Sequence, residues 1–327
     1  MHIPDGFLDA KTAVASAGLA VAGVGIALRS VRRGSPARRV PLIGLAAAFV
    51  FAAQMLNFPV AGGTSGHLIG AVLVAVLLGP SAAVLAMTAV LVVQCFVFAD
   101  GGVTALGANI FNMAIVAPGA GYAIYALVVR VAGPSLRSRL LATAFAAWCS
   151  TVFAAVVCAG ELALSGTAAW NVAFPAMAGI HMLIAFGESV ITTLIIAAVA
   201  NARPEMLAPV PPASGPARTG ELAAYGLLAS LGLVVFVAPF ASGWPDGLEK
   251  VAASLGFASK ASVRPVVAAP LQDYTLPGFG PAPFSMVVAG VAGTLVAFVL
   301  AYLLARVLTR PHAAARRSAA GGTSSHV

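Results

Sequence analysis

Long apolar runs separated by short polar segments make up most of the chain. A run of about 17–25 apolar residues is long enough to cross a bilayer as a helix. We assign nine runs as spans: 8–28, 41–57, 67–78, 81–98, 110–129, 140–160, 178–200, 223–240 and 284–307. The third run is short, so we expect it to tilt or to extend into its flanks. Because the runs are continuously apolar and do not alternate, they favour helices over barrel strands. The pattern predicts an all-α polytopic membrane protein, with a seven-helix bundle followed by a two-helix transmembrane hairpin.

The low content of charged residues indicates the same class. Of the 327 residues, 60% are hydrophobic and only 9% are charged, whereas soluble domains carry about 25% charged residues. So few charges cannot cover the surface of a soluble globule of this size. Soluble and disordered classes are therefore disfavoured, and we expect the chain to be surrounded by membrane lipid.

The positions of lysine and arginine predict the orientation in the membrane. With the N-terminus placed outside, 14 of the 18 basic residues fall on the inner side. Four fall on the outer side: Lys11, Lys250, Lys260 and Arg264. Inner loops of membrane proteins carry an excess of these residues. The net charge of +8 is thus explained by topology, and no nucleic-acid partner is expected.

A segment rich in proline, alanine, serine and glycine divides the chain at 201–220. Such a composition forms a semi-rigid spacer instead of a packed core. We expect a seven-helix membrane domain at 1–200, a cytoplasmic linker at 201–220, and a hairpin at 221–310 whose polar loop at about 241–283 lies outside. The basic and polar residues 311–327 are expected to be disordered.

The first nine residues, MHIPDGFLD, contain groups that can bind a metal ion. They lack the basic region of a signal peptide, so we expect the mature chain to begin at Met1. The Met1 amine, the His2 backbone nitrogen and His2 Nδ1 can then bind one cation through a five-membered and a six-membered chelate ring. A fourth nitrogen would complete a planar set that suits Ni(II) or Cu(II). Pro4, Asp5 and Gly6 form a turn signal that could fold the terminus into the bundle, although a histidine at position 2 is often incidental.

The segment NFPVAGGTSGHLIGA offers a candidate for the fourth nitrogen, His67, at the outer end of the third span. Its glycines let the backbone approach a ligand closely. Thr64 and Ser65 can hydrogen-bond an imidazole and fix its tautomer. His2 and His67 fall on the same side of the predicted topology, which favours a joint site. The alternative is that His67 is a helix cap or an interfacial residue.

A third outer segment, FADGGVTALGANIFNMA, is polar with a single charge. Its polar side chains border a glycine-rich loop at the same membrane level: Asp100, Thr104, Asn109 and Asn112. We interpret them as groups that position the loop or support the metal ligands, with plain helix capping as the alternative.

Other polar residues lie in or near the predicted spans. His181 and Glu188 are two helical turns apart on one face of the seventh span, and they are either a functional pair or structural hydrogen-bonding groups. Gln54, Asn57 and Gln94 are candidates for hydrogen bonds between helices. The three cysteines have no CxxC spacing and are interpreted as packing residues, neither disulfides nor metal ligands.

The sequence lacks the motifs of several enzyme classes. It contains no GxxxxGK[ST], HExxH or GxSxG motif, so neither ATP hydrolysis nor peptide hydrolysis is expected of the chain alone. A membrane-embedded hydrolase would need a nucleophile and a base. Ser65 near His67 is the nearest such pair, and it lacks an evident orienting acid.

Several of these motifs carry a family resemblance. MHIPDGFLD, GGTSGHLIGA and DGGVTALGANIFNMA resemble the cobalt/nickel substrate-binding membrane components of energy-coupling-factor transporters, the CbiM/NikM family, over about residues 1–200. WPDGLEKVA at 244–252 and LQDYTLPG at 271–278 resemble a PDGLE-type domain, the small accessory component of the same transporters. The chain therefore resembles a natural fusion of the two components.

The resemblance implies a transporter component of a bacterial plasma membrane, not an enzyme. It implies the capture of one Co(II) or Ni(II) ion from outside as cargo, with no catalytic cofactor. The ligands carried over are the Met1 amine, the His2 backbone nitrogen and imidazole, and the His67 imidazole. Five polar residues would support these ligands: Asp5, Thr64, Ser65, Asn109 and Asn112.

The resemblance also implies partners. Import would need a transmembrane coupling subunit and two cytoplasmic ATP-binding subunits, and the accessory hairpin would contact the outer face near the metal. The alternative is a stand-alone metal channel or secondary metal carrier, which would import metal without those subunits.

Overall fold

The computed structural model of the chain describes residues 1–34, 39–207, 216–262, 266–276, 278–280 and 282–309. These residues are predominantly helical, so the predicted all-α membrane class is confirmed. Part of the predicted linker and the whole of the predicted disordered tail at 311–327 lie outside them.

The first unit precedes the linker and contains eight helices and one strand pair in its described residues. They are α1 (Ala10–Gly34), α2 (Val40–Gln54), β1 (Phe58–Val60), β2 (Thr64–Gly66), α3 (Ala71–Leu78), α4 (Pro80–Val93), α5 (Leu106–Asn109), α6 (Ala117–Ala132), α7 (Leu136–Leu164) and α8 (Trp170–Ala202). α4 continues as a π-helical turn over Gln94–Phe98, and a π-helical segment over Ile110–Val116 joins α5 to α6.

The second unit follows the linker and contains α9 (Pro216–Phe236), α10 (Gly247–Leu255) and α11 (Ala282–Leu308). α10 is a short extramembrane helix with a capping box at its start. Asp246 accepts a hydrogen bond from the Glu249 N–H, and Glu249 accepts one from the Asp246 N–H, both at 2.9 Å. This reciprocal arrangement satisfies two backbone donors that a helix start otherwise leaves free. Gly256, with a φ of 77°, ends the helix.

Seven helical stretches of the described chain are long and apolar enough to cross a membrane: Ala10–Gly34, Pro80–Phe98, Leu106–Ala132, Leu136–Leu164, Trp170–Ala202, Thr219–Phe240 and Pro283–Leu308. They correspond to seven of the nine predicted spans. The remaining two predicted spans are helical but shorter, with 15 residues in α2 and 8 in α3. The predicted arrangement of seven plus two spanning helices is therefore not confirmed.

The third predicted span was expected to tilt or to extend into its flanks, and it does not extend into them. The eight residues of α3 give about 12 Å of helix, against roughly 30 Å for a bilayer core. Gly70 before it and Gly79 after it have φ values of 77° and 90°, and Pro80 begins α4. Because left-handed φ values interrupt a right-handed helix, the apolar run is divided. Its first four residues, 67–70, form a loop instead.

The second unit packs directly on the first through α2. This helix is apolar on all sides and lies between α4 of the first unit and α9 and α11 of the second. Gly44 faces the backbone of Phe298, and Gly293 faces the fully buried ring of Phe51. Small residues allow such close helix contacts in membranes. Protein therefore surrounds α2. With 15 residues, this helix does not need the length of a helix that crosses lipid.

The pairing of β1 with β2 is a feature that the sequence pattern did not predict. The strands are antiparallel, with Phe58 opposite Gly66 and Val60 opposite Thr64. Strands of three residues are too short to show the alternation by which a strand is recognised. The strand pair sets β2 immediately before His67 and turns its polar residues toward the second unit.

Candidate metal centre

The first residues of the chain fold into the bundle, where α5 and the preceding loop hold them. Ile3 is fully buried. Its N–H donates to Asn109 Oδ1 at 2.8 Å, and its carbonyl accepts from Asn109 Nδ2 at 3.1 Å and from the Gly102 N–H at 2.8 Å. Asn109 therefore positions the terminal segment, in agreement with one of the two interpretations of this side chain.

Asp5 anchors the turn that follows. Its Oδ1 accepts from the Thr104 N–H at 2.8 Å and from the Thr104 hydroxyl at 2.6 Å, and its carbonyl accepts from the Ser262 N–H at 2.8 Å. A Cβ on Gly102 would overlap the Asp5 backbone nitrogen, so only glycine permits this approach. Asp5 was predicted to support the metal ligands. In the structure it holds the terminal segment against Thr104 and Ser262.

His67 lies in the loop between β2 and α3, and α8 holds that loop. Glu188 accepts from the N–H groups of Ile69 and Gly70, at 2.5 and 2.9 Å. His181, the other polar residue predicted on this face, places Nδ1 2.8 Å from its own helix carbonyl at Met177. Each therefore has a backbone partner, which supports the structural interpretation of these two residues.

The Met1 amine and His67 meet in the buried interior. The amine nitrogen lies 3.2 Å from His67 Nε2, and His67 Nδ1 lies 3.3 Å from the Leu68 carbonyl. With a proton on Nδ1, Nε2 presents its lone pair to the amine. Burial, followed by the nearby ammonium group, lowers the pKa of His67 to about 3. The imidazole is therefore neutral at pH 7, which is the form that binds metal ions.

The His2 ring lies beside that of His67, with ring centroids 5.4 Å apart. Its Nδ1 is 3.1 Å from Asp100 Oδ1, and its Nε2 is 3.1 Å from Gln94 Oε1. Burial lowers the pKa of His2, although Asp100 acts in the opposite direction. The structure thus brings the two histidines and the amine together, while His2 Nδ1 faces Asp100 and not the amine.

Asp246, which comes from the second unit, was missed by the sequence reasoning. Its Oδ2 accepts from the Met1 amine at 2.5 Å. Burial alone would lower the pKa of the amine, but the Asp246 carboxylate raises it above its ordinary value. Burial would likewise raise the pKa of Asp246, but the ammonium group holds it well below its usual range. The motif WPDGLEKVA could have indicated Asp246, because its aspartate stands at the start of a helix.

Thr64 and Ser65 face the second unit instead of an imidazole. The Thr64 hydroxyl donates to the Pro245 carbonyl at 3.0 Å, and the Ser65 hydroxyl donates to the Trp244 carbonyl at 2.7 Å. The Ser65 N–H also donates to the Pro245 carbonyl, at 2.8 Å. Because a backbone carbonyl already accepts the Ser65 hydroxyl, Ser65 and His67 are not arranged as a nucleophile and its base.

Asn112 belongs to a separate polar cluster between helices. Its Nδ2 donates to Glu161 Oε2 at 2.6 Å, and the Ser16 hydroxyl donates to Glu161 Oε1 at 2.7 Å. The structure does not place Asn112 in contact with the predicted ligands. By contrast, Gln94 Nε2 donates to Gln54 Oε1 at 2.7 Å, which confirms the predicted hydrogen bond between helices.

A cavity of about 740 Å³ leads to the site between the two units. Its polar lining includes residues of both units: His2, Gln54, His67, Asp100, Asp246, Glu249, Asp273 and Tyr274. The Tyr274 hydroxyl donates to Asp100 Oδ2 at 2.6 Å. Within the described residues, no three His, Cys, Asp or Glu side chains converge as metal ligands. A metal site here therefore depends on backbone or terminal nitrogen.

These features define a class of protein. Long apolar helices carry a buried site in which a terminal amine and two imidazoles meet, and a polar cavity leads to it, as expected of a multi-pass membrane transport protein. The family model described as "Cobalt uptake substrate-specific transmembrane region", CbiM, matches residues 2–206, and the chain belongs to this family. The PDGLE domain model matches residues 220–310. Both parts of the predicted resemblance are confirmed.

Relatives share the same two-part organisation. The "Putative fused nickel transport protein NikMN" of Archaeoglobus fulgidus is 37% identical over 314 residues, which cover 94% of this chain and 98% of the relative. The "Fused nickel transport protein NikMN" of Rhodobacter capsulatus is 34% identical over 290 residues, covering 83% of this chain and 82% of the relative.

Solved structures agree with this assignment. The crystal structure of a truncated transition metal transporter matches with a TM-score of 0.56 and 36% identity, covering 62% of this chain and 99% of that one. The chain is thus a multi-pass metal-transport component of the CbiM type and not an enzyme, as predicted.

Proposed function

We propose that the chain captures one Co(II) or Ni(II) ion from outside the cell as the substrate-binding component of an ATP-driven importer of the energy-coupling-factor type. The observation that carries this proposal is the 3.2 Å separation between the Met1 amine and His67 Nε2 in a buried site. The family description and the nickel-transporting relatives support cobalt or nickel as cargo.

The proposed ligands are four nitrogens: the Met1 amine, the His2 backbone nitrogen, His2 Nδ1 and His67 Nε2. The Met1 ammonium group and the His2 amide would each release one proton to solvent as the ion binds. Two neighbouring ligands at about 2.0–2.1 Å from one ion lie about 2.9 Å apart, close to the separation of the amine and His67. The His2 imidazole must turn its Nδ1 from Asp100 toward the amine to join them. A planar nitrogen set suits Ni(II) or Cu(II), and the family description and the names of the relatives point to nickel or cobalt as the cargo.

The division of labour between subunits is also part of the proposal. The sequence holds no P-loop, so a transmembrane coupling subunit and two cytoplasmic ATP-binding subunits would supply the energy. Uptake tests this in cells that make the chain with or without those subunits. We expect uptake only with them. Uptake by the chain alone would instead support a metal channel or secondary carrier.

Metal analysis of the purified full-length chain tests the site itself. We expect one bound nickel or cobalt per chain, and intact-protein mass spectrometry must show Met1 as the first residue. Adding one residue before Met1 moves the amine out of the chelate, and His67→Ala removes a ligand, so both variants should lose tight binding. Retention of one ion per chain by both variants would refute the site. His312→Ala, in the basic tail, is the control.

A further inference from the structure

We propose that the second unit completes the metal centre, with Asp246 acting as the residue that positions the Met1 amine beside His67. This inference rests on the proposed function. It assigns a specific task to the accessory hairpin: one carboxylate that fixes a ligand supplied by the other unit.

The two oxygens of Asp246 have separate tasks. Oδ1 accepts from the Glu249 N–H at 2.9 Å and caps α10, whereas Oδ2 accepts from the Met1 amine at 2.5 Å. The cap fixes the direction of the carboxylate, because the side chain cannot rotate without losing that bond. The amine is therefore held by a group whose own position is set by a helix start.

The segment that carries Asp246 is aligned with His67 through β2. The hydroxyls of Thr64 and Ser65 and the Ser65 N–H all donate to the carbonyls of Trp244 and Pro245. The carbonyls just before Asp246 are thus hydrogen-bonded to β2, which ends one residue before His67. Asp246 and His67 approach the amine from two chain segments that are bonded to each other.

A close contact sets the depth of α10. Gly247, its first residue, packs against the His181 ring, where a Cβ would lie 2.7 Å from His181 Cε1. Only glycine lets the helix start come this near to α8. The contact between Gly247 and His181 thus lets α10 lie close enough to α8 for Asp246 to reach the amine.

Charge favours a role that promotes metal binding. The nitrogen ligands from histidine are neutral, and a divalent ion buried among neutral groups is costly without compensating negative charge. Asp246 supplies such a charge on the amine side, and Asp100 supplies one on the His2 side. When the ion binds, the amine releases its proton to solvent and the Asp246 carboxylate faces the ion's charge in place of the ammonium charge. Loss of the Asp246 charge should therefore weaken metal binding.

The test uses NiCl₂ as the probe and the full chain purified in detergent. Asp246→Asn and Asp246→Ser both retain a good helix cap without the charge. Glu221→Gln is the matched control, because it removes one carboxylate from an exposed position of the same unit, on α9. We expect both Asp246 variants to bind nickel about 10-fold to 100-fold more weakly, and Glu221→Gln to stay within about twofold of the unchanged chain.

A second readout separates positioning from general structural damage. At saturating nickel, the visible absorption spectrum reports the ligand set. We expect Glu221→Gln to keep the spectrum of the unchanged chain and both Asp246 variants to alter it, because the amine is no longer held beside His67. Nickel binding by either Asp246 variant as tight as, or tighter than, that of the unchanged chain would overturn the inference.

The two levels of the proposal can fail separately. If His67→Ala loses nickel while the Asp246 variants keep full affinity and an unchanged spectrum, only the role of Asp246 is wrong. If His67→Ala also binds nickel as the unchanged chain does, the metal centre itself is wrong.

Discussion

At the scale of single residues, the candidate site brings two neutral imidazoles and the Met1 ammonium group together among charged and amide neighbours. His67 is buried beside the Met1 ammonium group, whereas Asp100 and Asp246 supply the negative charge. Asn109 holds the backbone of Ile3 with both ends of its amide. Each ligand thus has a partner that sets its orientation, as is usual around metal sites.

The neutral state of His67 predicts how stability changes with pH. Its pKa is about 3 in the folded protein, against 6.5 for an ordinary histidine. The unfolded chain therefore binds more protons between these values, and stability falls as pH drops below about 6.5, by up to about 1.4 kcal/mol per pH unit. Thermal unfolding of chelator-treated protein from pH 7 to 4 measures this.

His67→Gln is the control for that pH series, because it removes the titrating group but keeps a polar side chain. The acid loss of stability should become shallower in this variant. An equal slope in both proteins would show that another group causes the loss.

Gly102 provides a steric test of the terminal segment. In Gly102→Ala the new methyl group would overlap the backbone of Asp5, so the segment must move and nickel binding should fall at least about tenfold. Gly25→Ala is the control, since Gly25 lies in α1 with open space around its Cβ position. Equal nickel affinity of the two variants would contradict the docking of the segment.

At the scale of elements, short and interrupted segments build the site. Gly70 and Gly79 limit α3 to eight residues, and the residues released from the predicted span form the His67 loop. Glu188 of α8 then satisfies two backbone N–H groups of this loop. Irregular backbone is tolerated at membrane depth only where such partners exist.

The contact between β2 and the second unit can be tested with hydroxyl deletions. Thr64→Val with Ser65→Ala removes side-chain hydrogen bonds to Trp244 and Pro245, each worth about 1 kcal/mol. We expect faster proteolysis within residues 241–262 and weaker nickel binding. Ser230→Ala is the control, because that hydroxyl bonds within its own helix turn. If the double variant behaves like the control, the contact does not hold the second unit.

At the scale of the whole molecule, the distribution of charge relates the site to a side of the membrane. α1 starts beside the site and runs for 25 residues, about 37 Å, to Arg32 and Arg33 in its last turn. The last turns of α6 and α11 likewise carry Arg130 and Arg306. By the positive-inside rule, we expect these ends to be cytoplasmic and the site to face outward.

Reporter fusions test this orientation. A fluorescent protein fused after Arg33 should mature in the cytoplasm, and alkaline phosphatase fused at the same point should be inactive. A fusion after Gly243, beside the site, should give the opposite result. Active phosphatase after Arg33 would reverse the predicted topology.

Much of the molecule was predictable from local sequence. Continuous apolar runs predicted the helices because burial in lipid demands them, and MHIPDGFLD with His67 gave the candidate ligands. Thr64 and Ser65 were predicted to bond an imidazole, yet they bond the second unit. The neighbouring residues in the sequence do not show whether a hydroxyl will donate to an imidazole or to the carbonyl of a distant residue.

The sequence by itself determined the membrane class, the family and the chemistry of the nitrogen donors, because these depend on composition, run length and the order of residues. Only the tertiary structure decided that Met1 lies 3.2 Å from His67, that Asp100 faces His2, and that Asp246 reaches the amine. Such contacts join residues up to 245 positions apart. They follow from how α2, α8 and the second unit pack together, which no single segment encodes.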